Sequence, residues 1–307
     1  MGQTAVIGTA FVDIKGFSKN AYDPQGRNVG KVEIVHGGVA RNVAENFANV
    51  GMPVSFVGVL DDSAIGRDVA RYLEEAGVDL AYAVRVPEDG IGIWMVILDE
   101  YGDLAGSISC MPELSSLEAF LEQRVDEIVA DADAIVLEMD LSEHIAETVI
   151  RAAKQHGKPI YSIVGNATVV LSRKDLVKQT DCFICNNIEA AKFFEVADLA
   201  ACSSEYMLDF LPVAAKEAGL ASMVVTMGEH GAVYYDGPND ESGICPPVPA
   251  DVVDTSGAGD AFFSGTVMGL IRECRLSKAV AYGARLASET IGRIATTCPV
   301  DKEFFNR

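Results

Sequence analysis

The chain has 307 residues, 49% of them apolar, enough to bury one large core or two modest ones. Forty-five acidic residues against 24 basic ones leave a formal net charge of −21 with no basic stripe, which argues against a nucleic-acid or membrane-surface protein. At 22% charged residues the sequence is ordinary for a globular protein, and any anionic ligand must be met by backbone amides, a local cation or a metal.

Taken in order, the chain enters a strand-like run at once, Thr4-Ala-Val-Ile-Gly8, without a basic leader or cleavage site. No apolar run reaches the roughly 18 residues of a membrane span. Residues 11–36 are too polar for a core helix and end in the alternating strand Lys31-Val-Glu-Ile-Val35. Val54-Ser-Phe-Val-Gly-Val59 reads as a strand, and 63–76 as a helix with Ser63 as cap. Ile91 to Cys110 reads as a hairpin turning at Asp99-Glu-Tyr-Gly-Asp103, and it carries Trp94, the only tryptophan. Beyond it, strands at 133–137, 158–164, 182–185 and 221–226 alternate with helices at 142–156 and 205–218. Two final helices are expected at 259–273 and 277–291.

Repeated strand–helix–strand units without a linker predict one α/β domain over 1–307. It is a three-layer α/β/α arrangement on a mostly parallel sheet. The segments at about 13–36 and 91–110 are expected to form a small β-sheet lid, and apolar residues on both its faces would make it a dimer surface. The seven cysteines are odd in number and scattered, as in reduced cytoplasmic proteins. Cys182-Phe-Ile-Cys185 has no second pair at ligand spacing and reads as a buried strand.

Several stretches carry chemistry. Asp13 is expected beyond the first strand's carboxyl end, where open α/β sheets bind ligands, so it is placed to accept from two sugar hydroxyls or to close an Asx turn. Gly37-Gly38 open a helix through Val50, with Asn42 in its first turn either reaching vicinal hydroxyls or joining Asn46 and Asn49 in a solvated stripe. Asp140 follows a later strand in an equivalent place. Asn186-Asn-Ile-Glu189 suits a hydrated Mg²⁺ beside a polyphosphate, and equally an ordinary capping box. Thr226-Met-Gly228-Glu-His-Gly231 is a strand end and glycine turn able to touch a nucleotide phosphate, or a plain hairpin. Asp254-Thr-Ser-Gly-Ala-Gly-Asp260 is a turn opening a helix, whose unpaired amides and dipole favour an anion, with Asp260 beside it as a proton acceptor. Its plain alternative is a first-turn acid behind a Thr255 or Ser256 cap. There is no P-loop and no dinucleotide fingerprint. Of the four histidines only His36 lies near these residues.

Together these motifs resemble those of the ribokinase-like (PfkB) carbohydrate and nucleoside kinases along essentially the whole chain, with Ser256 a mild departure. Gly37-Gly-Val-Ala-Arg-Asn-Val-Ala-Glu-Asn46 is similar to the corresponding stretch of the pseudouridine kinase subfamily. Gly92-Ile-Trp94, Cys110-Met-Pro and Asp140 depart from that subfamily at positions facing the substrate. The resemblance implies an ATP-dependent kinase acting on the 5′-hydroxyl of a nucleoside, pseudouridine first, with ribose, inosine or adenosine as other substrates. A non-catalytic ligand-binding regulator is the reading from another class. It further implies Asp260 as general base and the amides of Gly257, Ala258 and Gly259 as the phosphoryl cradle. Asp13, Gly37, Gly38, Asn42 and Asp140 fall to the sugar, and Thr226, Gly228, Gly231 and Asn186 to ATP. Asn186 and Glu189 are implied to organise Mg²⁺ through water, with a K⁺ beside Asp254.

Overall fold

In the computed structural model, which describes residues 2–293, 295–299 and 304–306, the β-branched runs become strands and the periodic runs helices. The chain opens with β1 (Gln3–Ile7), β2 (Phe11–Ser18), β3 (Gly30–Gly37) and α1 (Val39–Asn49). There follow β4 (Val54–Val57), β5 (Val59–Asp61), α2 (Ala64–Ala76), β6 (Val84–Val86), β7 (Gly92–Leu98) and β8 (Leu104–Cys110). The middle holds α3 (Ser115–Asp131), β9 (Ala132–Glu138), α4 (Glu143–Gln155), β10 (Ile160–Ile163), α5 (Ala167–Ser172) and α6 (Lys174–Val177). The last third is β11 (Cys182–Asn186), α7 (Asn187–Phe194), α8 (Ser204–Ala218), β12 (Ser222–Thr226), β13 (Ala232–Asp236), β14 (Glu241–Cys245), α9 (Ala258–Ile271) and α10 (Leu276–Ile291).

The central sheet runs β14-β13-β12-β11-β10-β9-β1-β4. Its six strands from β12 to β4 are parallel, and β13 and β14 close one edge as antiparallel returns. Alternation along β1 sends Val6 to one face and Ile7 to the other. Ile7 joins a core completed by α3, α4 and α8 through Leu117, Val149 and Leu211. Val6 joins the opposite core, closed by Phe47 of α1, Leu73 of α2, Phe263 of α9 and Val280 of α10. Each large side chain fully buried there stabilises the fold by roughly 1.5–3 kcal/mol. This is the α/β/α arrangement and mostly parallel sheet expected from the sequence.

Caps fix where the helices start. Ser63 accepts from the Gly66 amide at 3.0 Å and Ser142 from the Ile145 amide at 3.2 Å, each worth about 1 kcal/mol. The helices α9 and α10 pack closely because glycines face one another. A Cβ on Gly265 would fall 2.6 Å from the Tyr282 carbonyl oxygen, and one on Gly283 2.5 Å from that of Phe262.

The separate four-stranded sheet runs β3-β2-β7-β8 and gathers the two segments expected to form a lid. Asp13 stands in register with Val35 and Trp94, and Ile14 with Ile34 and Met95, which in turn meets Ile108. One face therefore carries Asp13, Lys15 and Trp94, while the other exposes Val32, Ile34, Met95 and Ile108. Asp13 lies within β2, not in a loop after β1. Among the described residues no helix is long and apolar enough to cross a membrane. All seven cysteines are free; Cys182 and Cys185 lie buried in β11, their thiols pushed up by burial.

Candidate active site

The turn before α9 is built to leave its helix start open. Asp254 Oδ1 accepts from the Ser256 amide at 2.8 Å, folding the turn, and neither Thr255 nor Ser256 caps the helix. The N-cap is Gly257, at φ +77°, where a Cβ would lie 2.1 Å from the Thr296 carbonyl oxygen. Only glycine satisfies both conditions. The Ala258 amide turns back to the Thr255 carbonyl at 3.2 Å, so it is partly engaged within the turn. Gly259 faces open space on its Cβ side and lines a cleft of about 540 Å³.

Asp260 stands in the first turn of α9. It keeps some surface, but its carboxyl is enclosed by protein, and burial raises its pKa to about 7. The Asn42 hydrogen bond and the Arg41 charge pull the other way, while Glu189 and Asp13 add to the rise. A carboxyl poised near neutrality suits proton transfer at physiological pH. Asn42 Nδ2 donates to Asp260 Oδ2 at 2.6 Å, which joins the two motifs across 218 positions of sequence.

The start of α1 is also a glycine, Gly38 at φ +94°, without a side-chain cap. Two of its opening amides are nevertheless occupied. Arg41 N donates to the Thr9 carbonyl at 3.3 Å, and the Ala40 amide donates to the Glu138 carboxyl, which also accepts from Thr9 N at 2.8 Å. Burial lifts the pKa of Glu138 to about 8. What α1 offers a ligand is therefore side chain. Asn42 and Asn46 are buried, not a solvated stripe, and Asn42 is fixed by its neighbour. Arg41 is fully enclosed and donates to the carbonyls of Gly37 (3.1 Å) and His36 (2.7 Å), to Thr296 Oγ1 (2.8 Å), to Glu45 and to Asn42 Oδ1. With its oxygen held by Arg41, Asn42 must present its NH₂ to Asp260. Thr297 completes the group by donating to Glu45 at 2.6 Å.

Asp13 sits over Gly37, where an added Cβ would fall 2.8 Å from the carboxylate, so glycine makes the room. Burial raises its pKa, against the charges of Lys15 and Arg41. Asp140, just past β9, accepts the amides of Gly165 and Asn166, and burial raises its pKa as well. Of the residues read from sequence as sugar-facing, Asp13, Gly37, Gly38 and Asn42 converge with Asp260. Asp140 is tied to the 165–166 turn. His36 turns instead to α2, meeting Asp68 at 3.0 Å and the Tyr72 ring edge-on.

On the other side of Asp260, Thr226, Gly228, Gly231, Thr255, Ala258 and Gly259 share the cleft, walled by Val248, Val252, Phe262 and Ile291. Asn186 and Glu189 form a reciprocal capping box, Asn186 Oδ1 accepting from Glu189 N at 2.9 Å and Glu189 Oε2 from Asn186 N at 2.8 Å. Glu189 is buried, its pKa raised first by burial and further by Asp140. The cap engages one oxygen of Glu189, and a second acidic group acts on it. Among the described residues no group of three or more His, Cys, Asp or Glu is arranged to hold a metal. That donor set fits Mg²⁺ held through water and a polyphosphate, not an all-protein cage. Burial pushes Asp254 upward, but the Ser256 hydrogen bonds and the Lys15 charge outweigh it and hold it below its ordinary value.

Sequence reasoning missed Arg41, Glu45, Thr296, Lys15 and Glu138. Arg41 and Glu45 stand at i,i+4 on an amphipathic helix, where such pairs are usually solvated. Only the crowding of Arg41 and Glu45 among buried positions of α1 signals otherwise.

The sequence profile described as pfkB family carbohydrate kinase matches residues 1–303. The chain is 33% identical to a guanosine-inosine kinase of Exiguobacterium acetylicum over 291 residues, 95% of each chain. It is 26% identical to the pseudouridine kinase of Escherichia coli (strain K12) over 262 residues, 85% of this chain and 81% of the other. Its fold superposes on an Arabidopsis thaliana ribokinase complexed with ribose and ATP with a TM-score of 0.80 at 20% identity, covering 99% of this chain and 97% of that one.

Proposed function

This chain belongs to the pfkB family of carbohydrate kinases, and from that premise we propose that it transfers the γ-phosphoryl group of ATP to the 5′-hydroxyl of a nucleoside. The observation that carries the reading is the 2.6 Å hydrogen bond from Asn42 to Asp260, which sets a sugar-side amide against a carboxyl tuned to neutrality. Asp13, Gly38 and Asn42 hold the sugar and aim its 5′-oxygen at Asp260, with Asp140 at the edge of the same site. The hydroxyl proton passes to Asp260 as the oxygen bonds to phosphorus, and the bond to the β-phosphate breaks to release ADP. The start of α9, through Gly257, Ala258 and Gly259, receives the charge on the transferring oxygens. Thr226, Gly228 and Gly231 border the nucleotide. Asn186 and Glu189 would hold Mg²⁺ through water, where it neutralises polyphosphate charge. A K⁺ beside Asp254, which the family resemblance implies, would share that carboxylate with Lys15.

Purine ribonucleosides, inosine and guanosine, lead our substrate reading, because the 33% identical relative carries those substrates in its name and matches nearly end to end. Trp94 supports it: the large indole shares the inner lid face with Asp13, in position to cover a bicyclic base. Pseudouridine stands second, favoured by the stretch Gly37–Asn46. The exposed stripe Val32, Ile34, Met95 and Ile108 favours a homodimer formed through the lid. Dependence on ATP and seven free cysteines suit the cytoplasm. A panel of inosine, guanosine, pseudouridine, adenosine and ribose with MgATP, followed by ADP release, tests the reading. Highest kcat/KM on inosine or guanosine is the expected result. A pseudouridine optimum reverses the order, and no turnover on any of them supports the binding-regulator alternative.

A further inference from the structure

Lys15 is an ion-pair partner of Asp254, and the phosphoryl transfer proposed for this site leaves its ammonium group without a chemical task. Lys15 lies on β2 two positions beyond Asp13, so the strand's alternation directs both side chains to the inner face of the lid. The Lys15 side chain is only 12% exposed. Its Nζ donates to Ser256 Oγ at 3.0 Å and lies 3.6 Å from Asp254 Oδ2. Both partners belong to the turn that feeds the open start of α9.

Among the described residues, the acidic groups Asp13, Asp254, Asp260 and Glu189 gather around this point. Arg41, a second cation among the described residues here, is enclosed and already divided among His36, Gly37, Asn42, Glu45 and Thr296. Its charge is fixed in place. Lys15 is held by one hydroxyl and one half-exposed carboxylate, on a flexible four-carbon stem.

We propose, resting on the kinase reading, that Lys15 is a catalytic residue: the lid delivers its ammonium group to the transferring phosphoryl group at the start of α9. Nζ leaves Asp254 for the phosphoryl oxygens when the lid closes over substrate. It neutralises their charge while the 5′-oxygen bonds to phosphorus, the β-phosphate departs with its electron pair as ADP, and the proton rests on Asp260. Lid position and charge neutralisation are thereby one event.

The test compares Lys15→Met, Lys15→Gln and Lys15→Arg with the wild type as full chains. Nucleoside affinity is read without nucleotide from the fluorescence of Trp94. Loss of one such donor lowers kcat by about 100-fold or more in the Met and Gln variants, with nucleoside affinity unchanged, and arginine restores most of the rate. Gln keeps a hydrogen-bond donor for Ser256, so it separates charge from fold should the Met variant not fold. A Gln or Met variant with wild-type kcat overturns the proposal. So does a fall in nucleoside affinity that matches the fall in rate, since Lys15 is then a strap for the sugar site. A wild type silent on the whole substrate panel overturns the kinase reading itself, an outcome seen without any variant.

Discussion

Two helices meet at this site, both starting at a glycine with positive φ, and they do opposite work. At α1 two of the opening amides, those of Ala40 and Arg41, are closed from within by the Glu138 carboxyl and the Thr9 carbonyl, and the helix contributes a side chain, Asn42. At α9 no side chain caps the start, and Gly259 opens on the cleft. The same local device, a glycine N-cap, gives a start partly closed from within in one case and a start open to the cleft in the other, which under the proposed function become a platform for the sugar and a seat for the phosphoryl group. The difference comes from what the preceding strand delivers. β1 ends beside a buried glutamate, whereas the turn at Asp254 folds on itself and leaves the helix end exposed to ligand.

The sharpest way to break this division is at the hydrogen bond that joins the two helix starts, from Asn42 to Asp260. Asp260→Asn removes the proton acceptor while keeping the shape, and turnover should fall by about two to four orders of magnitude with nucleoside still bound. Near-normal turnover would refute the assignment. Asn42→Ala should cost less, about one to two orders in kcat/KM, since it removes a positioning contact and not the base. It should also move the pH profile. The base works only ionised, so kcat/KM of the wild type rises with pH up to about 7 and then levels. The Asn42 hydrogen bond favours the ionised form, so its loss shifts the bend to higher pH. A bend that stays in place would mean that Asn42 does not act on Asp260.

The glycines of α9 test the other half. Gly257→Ala meets both a positive φ and the Thr296 carbonyl, and should destabilise the fold by roughly 1–3 kcal/mol or more. Gly259→Ala meets nothing within 4 Å, so the melting temperature should hold while KM for ATP rises by about tenfold as the methyl enters the cleft. If both variants lose stability alike, the open helix end is not open. On the lid, Ile34→Glu should turn a dimer into a monomer in light scattering, and an unchanged mass would remove the proposed dimer surface.

The sequence made legible what depends on local spacing. The α/β alternation, the turn at 254–260 and the glycine pair at 37 and 38 all stood where pattern reading put them. What it hid depends on distance. No element is read from sequence between 111 and 132, where α3 stands. Its stripe of Leu117, Leu121, Val125 and Ile128 is diluted by charges on every other side, and its N-cap is Leu114, which carries no capping signal. Thr255 and Ser256 looked like caps, yet the turn uses their backbone instead. The burial of Arg41 is hidden from local spacing because it involves the 296–297 segment, a contact 255 positions away. Lys15 likewise became visible only when the lid strand crossed the turn at Asp254.

The smallest effect concerns Glu138, the residue that makes α1 unlike α9. Burial raises its folded pKa to about 8 from an ordinary carboxyl value, so over that window the folded chain holds a proton that the unfolded chain has lost. The contribution of Glu138 to stability then declines as pH rises from about 5 to 8, because the folded state binds this proton and the unfolded state does not. Glu138→Gln removes the titration while keeping an oxygen for the Thr9 and Ala40 amides. At pH 5 the variant should be the less stable by about 1 kcal/mol, the worth of an imperfect hydrogen bond. The gap should close as pH climbs toward 9, where the wild type carries a buried charge that the variant lacks. Melting curves that run parallel from pH 5 to 9 would show that Glu138 is ionised throughout. In that case a charged carboxylate, not a neutral acid, closes the start of α1, and the contrast between the two helix starts becomes one of electrostatics as well as geometry.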